Sequence, residues 1–156
     1  MTRRTFLVDP SARWLEYARR SVSDAVNLTT FTDFSKARAQ LLTVRPQLVA
    51  TNLRLGAYNG LHLVHLVASL HVEARCIVFS DHPDPVLIRE AQEAGAFYEP
   101  ASALPFALAS YASAVLPPRD QRSAERIDRR AIRRGGRRAA DALALTSDDG
   151  GHLSLT

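Results

Sequence analysis

The chain has 156 residues, 46% of them hydrophobic, and a single cysteine, Cys76, which together exclude a globally disordered chain and an intrachain disulfide framework. Its length suits one domain with an appendage rather than two domains. The formal net charge is +4, but residues 1–116 hold 11 Lys/Arg against 10 Asp/Glu, while residues 117–156 hold 9 Arg against 6 Asp/Glu, so the basic character lies in the C-terminal stretch.

Thr5-Phe6-Leu7-Val8 is a β-prone run that Asp9-Pro10 ends, and Ser11 can cap the helix that follows. Trp14, Leu15, Ala18 and Val22 recur there at helical spacing, over 12–22. Val26 to Phe31 reads as a second strand. Thr32 or Asp33 caps a second helix whose buried face is Phe34, Ala37, Leu41 and Val44, and Pro46 stops it. Leu48-Val49-Ala50-Thr51 is apolar without alternation, as a strand covered on both faces must be. A loop over 52–60 leads to a third helix over 61–70, and Arg75 to Ser80 is a fourth strand. His82-Pro83-Asp84-Pro85 opens a fourth helix, closed by Gly95. Ala96-Phe97-Tyr98 is a brief fifth strand, and Leu104 to Leu116 a fifth helix with Pro105 in its first turn.

Five strand-then-helix units in this length require crossover connections and a parallel sheet. The expected architecture is a doubly wound, flavodoxin-like three-layer sandwich with strand order 2-1-3-4-5 and its site at the carboxyl ends of the strands. Residues 1–116 form the expected domain, and residues 117–156 an arginine-rich, largely flexible tail.

Two stretches without Asp, Glu, Lys or Arg are long enough to be candidate membrane spans, Leu55 to Val72 and Pro100 to Pro118. The first carries Asn59, Gly60 and three histidines, and the second is Ala/Ser-rich with Pro105, so both read as helices of a water-soluble domain. The apolar run near the N-terminus is too short for a signal-peptide core, and the expectation is a cytoplasmic protein.

The residues 5–116 resemble a response-regulator receiver domain. Phe6-Leu7-Val8-Asp9 is similar to the first strand and its terminal acid, and Arg45-Pro46-Gln47-Leu48-Val49-Ala50-Thr51-Asn52-Leu53-Arg54-Leu55 to the third strand and acceptor loop. Asn59-Gly60-Leu61 matches the turn into the third helix, and Ile77-Val78-Phe79-Ser80 the fourth strand with its hydroxyl residue. Pro85 to Ala96, with Glu93-Ala94-Gly95-Ala96, matches the fourth helix and its exit. The resemblance implies two acids that help hold Mg²⁺, an aspartate that attacks phosphorus, a Ser or Thr that bonds the phosphoryl oxygens, and a lysine that offsets their charge. Such chemistry is mostly positioning and charge neutralisation. This chain departs at three of the five places: Pro10 replaces the second acid, Asn52 the acceptor, and Glu99-Pro100 follows a shortened strand five where the lysine belongs. The only lysine, Lys36, lies in helix two.

The pocket of Asp9, Asn52, Ser80 and Glu99 therefore reads as a degenerate phosphoacceptor site with no catalytic residue, no metal and no cofactor. Asn52 is a relic loop residue tied to backbone, a mimic of a locked signalling state, or an amide ligand. Asp9 is a cation ligand or a cap of helix one. His62 and His65 share a helical face, with His71 near, but no third or fourth metal ligand is evident. Ser80-Asp81-His82 holds triad residue types, yet sequence neighbours rarely converge as a triad. In the tail, Arg129-Arg130, Arg133-Arg134 and Arg137-Arg138 would form one basic stripe on a helix, which Gly135-Gly136 breaks.

The reading is a phosphorylation-independent signalling module of two-component type, not an enzyme, acting through protein contacts. The alternative is a nucleic-acid-associated regulator that uses the basic tail. The expected contact is a homodimer or a signalling partner through helices four and five. Leu104, Leu108, Tyr111 and Val115 would face inward on helix five, and Phe106, Ala109 and Ser113 outward, on a helix with no charged face. The resemblance points to the same surface, because receiver-like domains commonly pair through it.

Overall fold

The structure, a computed structural model, describes residues 2–130. Its elements run β1 (Arg4–Val8), α1 (Ala12–Ser21), β2 (Asn27–Phe31), α2 (Phe34–Val44), β3 (Leu48–Asn52), β4 (Arg54–Leu55), β5 (Tyr58–Asn59), α3 (Gly60–Ser69), β6 (Arg75–Ser80), α4 (Pro85–Glu93), β7 (Phe97–Pro100) and α5 (Leu104–Ser113). Helical residues also cover 124–130. The main sheet is parallel throughout, in the order β2-β1-β3-β6-β7. Setting aside the β4–β5 hairpin, which sits in the expected loop, this is the expected order 2-1-3-4-5.

The continuous apolar runs of β1, β3 and β6 lie at the centre of the sheet and are buried on both faces. One core packs Phe6, Val49 and Val78 against Leu41, Leu63 and Ile88 of α2, α3 and α4. The other packs Leu7, Ala50 and Ile77 against Leu15 of α1 and Leu108 of α5. Each such fully buried aliphatic side chain contributes roughly 1.5–3 kcal/mol.

The caps follow the local chemistry. Ser11 Oγ accepts from Trp14 N at 3.1 Å, and Asp33, not Thr32, caps α2 through Lys36 N at 2.8 Å. His62 is spent on a capping box: Asn59 Oδ1 accepts from Leu61 N, and Asn59 N donates to His62 Nδ1. Gly95, with φ +88, supplies the left-handed residue beyond α4.

Two expectations need correction. Helix α5 stops at Ser113, so Val115 lies beyond it and is 96% exposed rather than inward. The packed body also runs past residue 116. Asp120, Ala124 and Ile127 are buried, and the last two join the core that holds Ile88, Ala91 and Tyr98.

Candidate functional site at the strand ends

Parallel strands bring their carboxyl ends to one edge of the sheet, and Asp9, Asn52 and Ser80 are carried there by β1, β3 and β6. Val8 is the register partner of Thr51, which sets Asp9 beside Asn52. The Asn52 amide Nδ2 donates to Asp9 Oδ2 at 2.7 Å, and Asn52 Oδ1 accepts from Arg54 N at 2.9 Å. Asp9 Oδ1 accepts from Ser11 N at 2.7 Å. Asn52 is thus tied both to backbone and to the acid, and Asp9 fixes the turn into α1 while Ser11 does the capping.

Both side chains are buried. Burial raises the Asp9 carboxyl above its ordinary value; the bonds from Asn52 and Ser11 pull it down, and the charge of Asp81 adds to the rise. Mg²⁺, which the resemblance would bring, does not fit here. Asp9 is the one buried acid at these strand ends and both of its oxygens already accept a bond, whereas Mg²⁺ requires several oxygen ligands in near-octahedral array. The loop after β3 is also rigidly seated: Gly60 N donates to Leu53 O at 2.7 Å, and a Cβ on Gly60 would overlap the Asn52 carbonyl oxygen.

Ser80 Oγ donates to His82 O at 3.3 Å and is hydrogen-bonded to the Tyr98 hydroxyl. Tyr98 is fully buried, and burial above all pushes its phenol up to about 12, so it stays neutral. Ser80 meets the backbone of His82, not its imidazole, and the Ser80-Asp81-His82 run forms no triad.

Glu99 is drawn into a different cluster. Its Oε1 accepts from Tyr111 OH at 2.7 Å and from Arg122 Nη1 at 2.7 Å. Arg122 also binds Asp120 through Nε and Nη2, each at 2.9 Å. Burial alone would raise the Asp120 carboxyl, but Arg122 and the backbone donors hold it below its usual value. The structure therefore joins Asp9 to Asn52, sets Ser80 on Tyr98, and takes Glu99 to Tyr111 and Arg122. The sequence reading missed Tyr98, Tyr111, Asp120 and Arg122.

On α5, Phe106 is 58% exposed and Ser113 is exposed, with its hydroxyl returned to Ala109 O at 2.8 Å. Ala109 is half-buried against the second core, so it is less outward than expected. Arg129 and Arg130 are exposed, and Arg133, Arg134, Arg137 and Arg138 lie outside the described residues. Among the described residues, no three His, Cys, Asp or Glu side chains cluster as metal ligands, and no helix is long and apolar enough to cross a membrane.

No protein-family model matches the sequence, and no curated protein is similar to it. Solved structures are similar. One is the chemotaxis protein CheY4 of Vibrio cholerae, with TM-score 0.65 and 18% identity, covering 74% of this chain and all (100%) of that one. Another is a two-component response regulator of the LuxR family from Aurantimonas, with TM-score 0.62 and 24% identity over 70% of this chain and 81% of that one. A third is the receiver domain of the Francisella response regulator 1452, with TM-score 0.62 and 11% identity over 69% of this chain and 94% of that one. The chain has the flavodoxin-like fold of the receiver domains of response regulators.

Proposed function

We propose that this chain is a phosphorylation-independent signalling module of two-component type, with a phosphoacceptor pocket that no longer accepts phosphate. The observation that supports this reading is the Asn52 amide donating to Asp9 at 2.7 Å. An amide has no nucleophilic carboxylate oxygen to attack phosphorus, and here it occupies one oxygen of the acid that would hold a metal. The cation that would offset phosphoryl charge is also missing, since Glu99 stands near that place and is engaged with Tyr111 and Arg122. The protein works as a binding module rather than an enzyme, in the cytoplasm, on a signalling partner or a second copy. The uncharged helix α5, with Phe106 exposed, is the surface for that contact.

The test is exposure of the whole protein to acetyl phosphate, and separately to beryllofluoride, each with Mg²⁺. Intact-mass spectra are expected to show no phosphoryl adduct, and thermal melting no beryllofluoride-dependent shift. An adduct mapped to this pocket would overturn the reading. The contact surface has its own test. Sedimentation at micromolar concentration is expected to show a dimer that Phe106→Glu shifts toward monomer, and a monomer unmoved by that substitution would remove it.

A further inference from the structure

The strands enter the sheet at the edge opposite Asp9 and Asn52, and the loops at the two edges differ in charge. At the carboxyl edge they carry Asp9, Asp33, Asp81 and Asp84, with Arg54 as the one arginine or lysine. At the amino edge Arg3 and Arg4 lead β1, Arg45 stands between α2 and β3, and Arg75 begins β6, against Asp24 and Glu73 in the loops that enter β2 and β6. A small anion is thus turned away from the closed pocket and drawn to the far edge.

Two entrances at that edge are built alike. Helix α2 ends at Val44 and Arg45 takes φ +49; α3 ends at Ser69 and His71 takes φ +52. Among the described residues, no other non-glycine residue has a positive φ. Glycine meets such a φ without a Cβ clash, as Gly56 and Gly95 do in this chain, yet both of these turns keep a long polar side chain. Strands β3 and β6 are neighbours, so the two turns lie side by side, and a cavity of about 420 Å³ opens there. Its polar walls are Arg4, Arg45, His71 and Glu73, and Leu42 and Leu70 stand among its apolar ones. The floor is fixed by the sheet: Gln47 N donates to Arg4 O at 2.8 Å, and Arg75 N to Gln47 O at 3.0 Å. Arg4 donates from Nε and Nη2 to the Arg45 carbonyl at 3.4 and 3.1 Å, which holds its guanidinium at the rim. Among the described residues, no acid pairs with Arg4 or Arg45, and no cation with Glu73.

We propose that this cavity binds a small phosphomonoester, with its phosphate on Arg4 and Arg45 and a body that gives an N–H to Glu73 and lies on Leu42 and Leu70. Phosphate suits the pair of arginines better than carboxylate does. It brings more negative charge and three acceptor oxygens, which guanidinium groups hold two at a time. Glu73 would only repel a bare anion, so it selects a ligand that also carries donors, as the base of a nucleoside monophosphate does. The volume lies within the roughly 300–1,000 Å³ of small-molecule sites. The site is at the far edge of the sheet from Asp9 and Asn52, and does not rest on the reading of that pocket.

Guanosine monophosphate, titrated into the full chain and read by the backbone amide shifts in NMR, tests this. Shifts are expected at Arg45, Gln47, His71 and Glu73. Guanosine alone and inorganic phosphate alone are each expected to bind at least about tenfold more weakly, because each lacks part of the contacts. Arg45→Gly keeps the left-handed turn and removes the guanidinium. It is expected to melt no lower than wild type and to bind the nucleotide at least about tenfold more weakly. Glu73→Ala is expected to bring guanosine monophosphate down to the affinity of ribose phosphate, which has no N–H to give. Inorganic phosphate that binds as tightly as the nucleotide would mean an adventitious ion only and would overturn the proposal. So would shifts that map elsewhere, or nucleotide binding that Arg45→Gly leaves unchanged. A lower melting temperature of Arg45→Gly would also overturn it, since the side chain would then serve the fold.

Discussion

Asn52 and Asp9 end neighbouring strands, and the amide of one donates to the carboxylate of the other at 2.7 Å inside the protein. Asn52→Asp would set two buried carboxylates in that contact, and one would have to keep its proton. The shared proton means a folded-state pKa raised above the unfolded value. For a carboxylate so placed, stability is lost as pH rises through the folded pKa and regained as pH falls. Asn52→Asp is therefore expected to cost about 2–3 kcal/mol at pH 7 and much less near pH 5. Urea unfolding at the two pH values checks this, and equal losses at both would refute it.

The same substitution is not expected to restore phosphorylation. On the proposed reading it supplies the nucleophile, but Pro10 stands at the place the resemblance gives to a second acid, and Glu99, near the place it gives to a lysine, is engaged with Tyr111 and Arg122. Acetyl phosphate with Mg²⁺ should leave the Asn52→Asp variant largely unmodified in intact-mass spectra. Stoichiometric labelling would show that the acceptor alone was missing.

Gly60→Ala tests how tightly the loop after β3 is seated. The added Cβ would overlap the Asn52 carbonyl oxygen, a backbone atom that cannot rotate away. A loss of about 1–3 kcal/mol is expected, read as a lower melting temperature. A melting temperature within a degree or so of wild type would mean that the loop shifts freely.

Acid should loosen the Asp120–Arg122 contact in a particular window. The folded pKa of Asp120 is depressed, so its contribution is complete above the unfolded value of about 3.9 and is lost as pH falls through the folded value. Wild type is expected to lose stability there more steeply than Arg122→Ala. Arg122 is itself part-exposed, which limits its worth to about 1–2 kcal/mol at neutral pH. Parallel acid limbs for the two proteins would contradict the assignment.

Two truncations separate linker from body. Ending the chain after Leu116 removes Ala124, Ile127 and the cover of Tyr98, and is expected to lower stability by about 3 kcal/mol while unfolding stays cooperative. Ending it after Arg130 keeps those contacts and is expected to leave the more stable of the two fragments. Chemical denaturation of both fragments beside the whole chain decides it.

Much of the fold could be read from the residues, because β1, β3 and β6 are unbroken apolar runs that only a sheet covered on both faces can bury. The grouping of Asp9 with Asn52 came from the resemblance, which puts both at carboxyl ends of strands; the bond between them was not legible, because strand order leaves the register open. The β4–β5 hairpin was not, because two-residue strands carry no periodicity. The sequence carries α5 on to Leu116 because Ala114-Val115-Leu116 continues its apolar composition, whereas the backbone is already extended at Ala114. Arg122 and Asp120 lie in the stretch that the sequence alone makes an arginine-rich, flexible tail. Asp120 is buried, while Arg122 is part-exposed and reaches Glu99, 23 residues away; the one local hint was the spacing of Ala124 and Ile127.

Trp14 is the only tryptophan of the chain, and its ring stacks on Phe79 with centroids 4.9 Å apart and planes 23° from parallel. Phe79 is the register partner of Asn52, and its carbonyl accepts from Leu53 N at 2.8 Å. The lone indole thus leans on the strand that borders the closed pocket. Its fluorescence is expected to serve as a native optical gauge of that pocket, responding to rearrangements that move the end of β6, without a label and without a substitution.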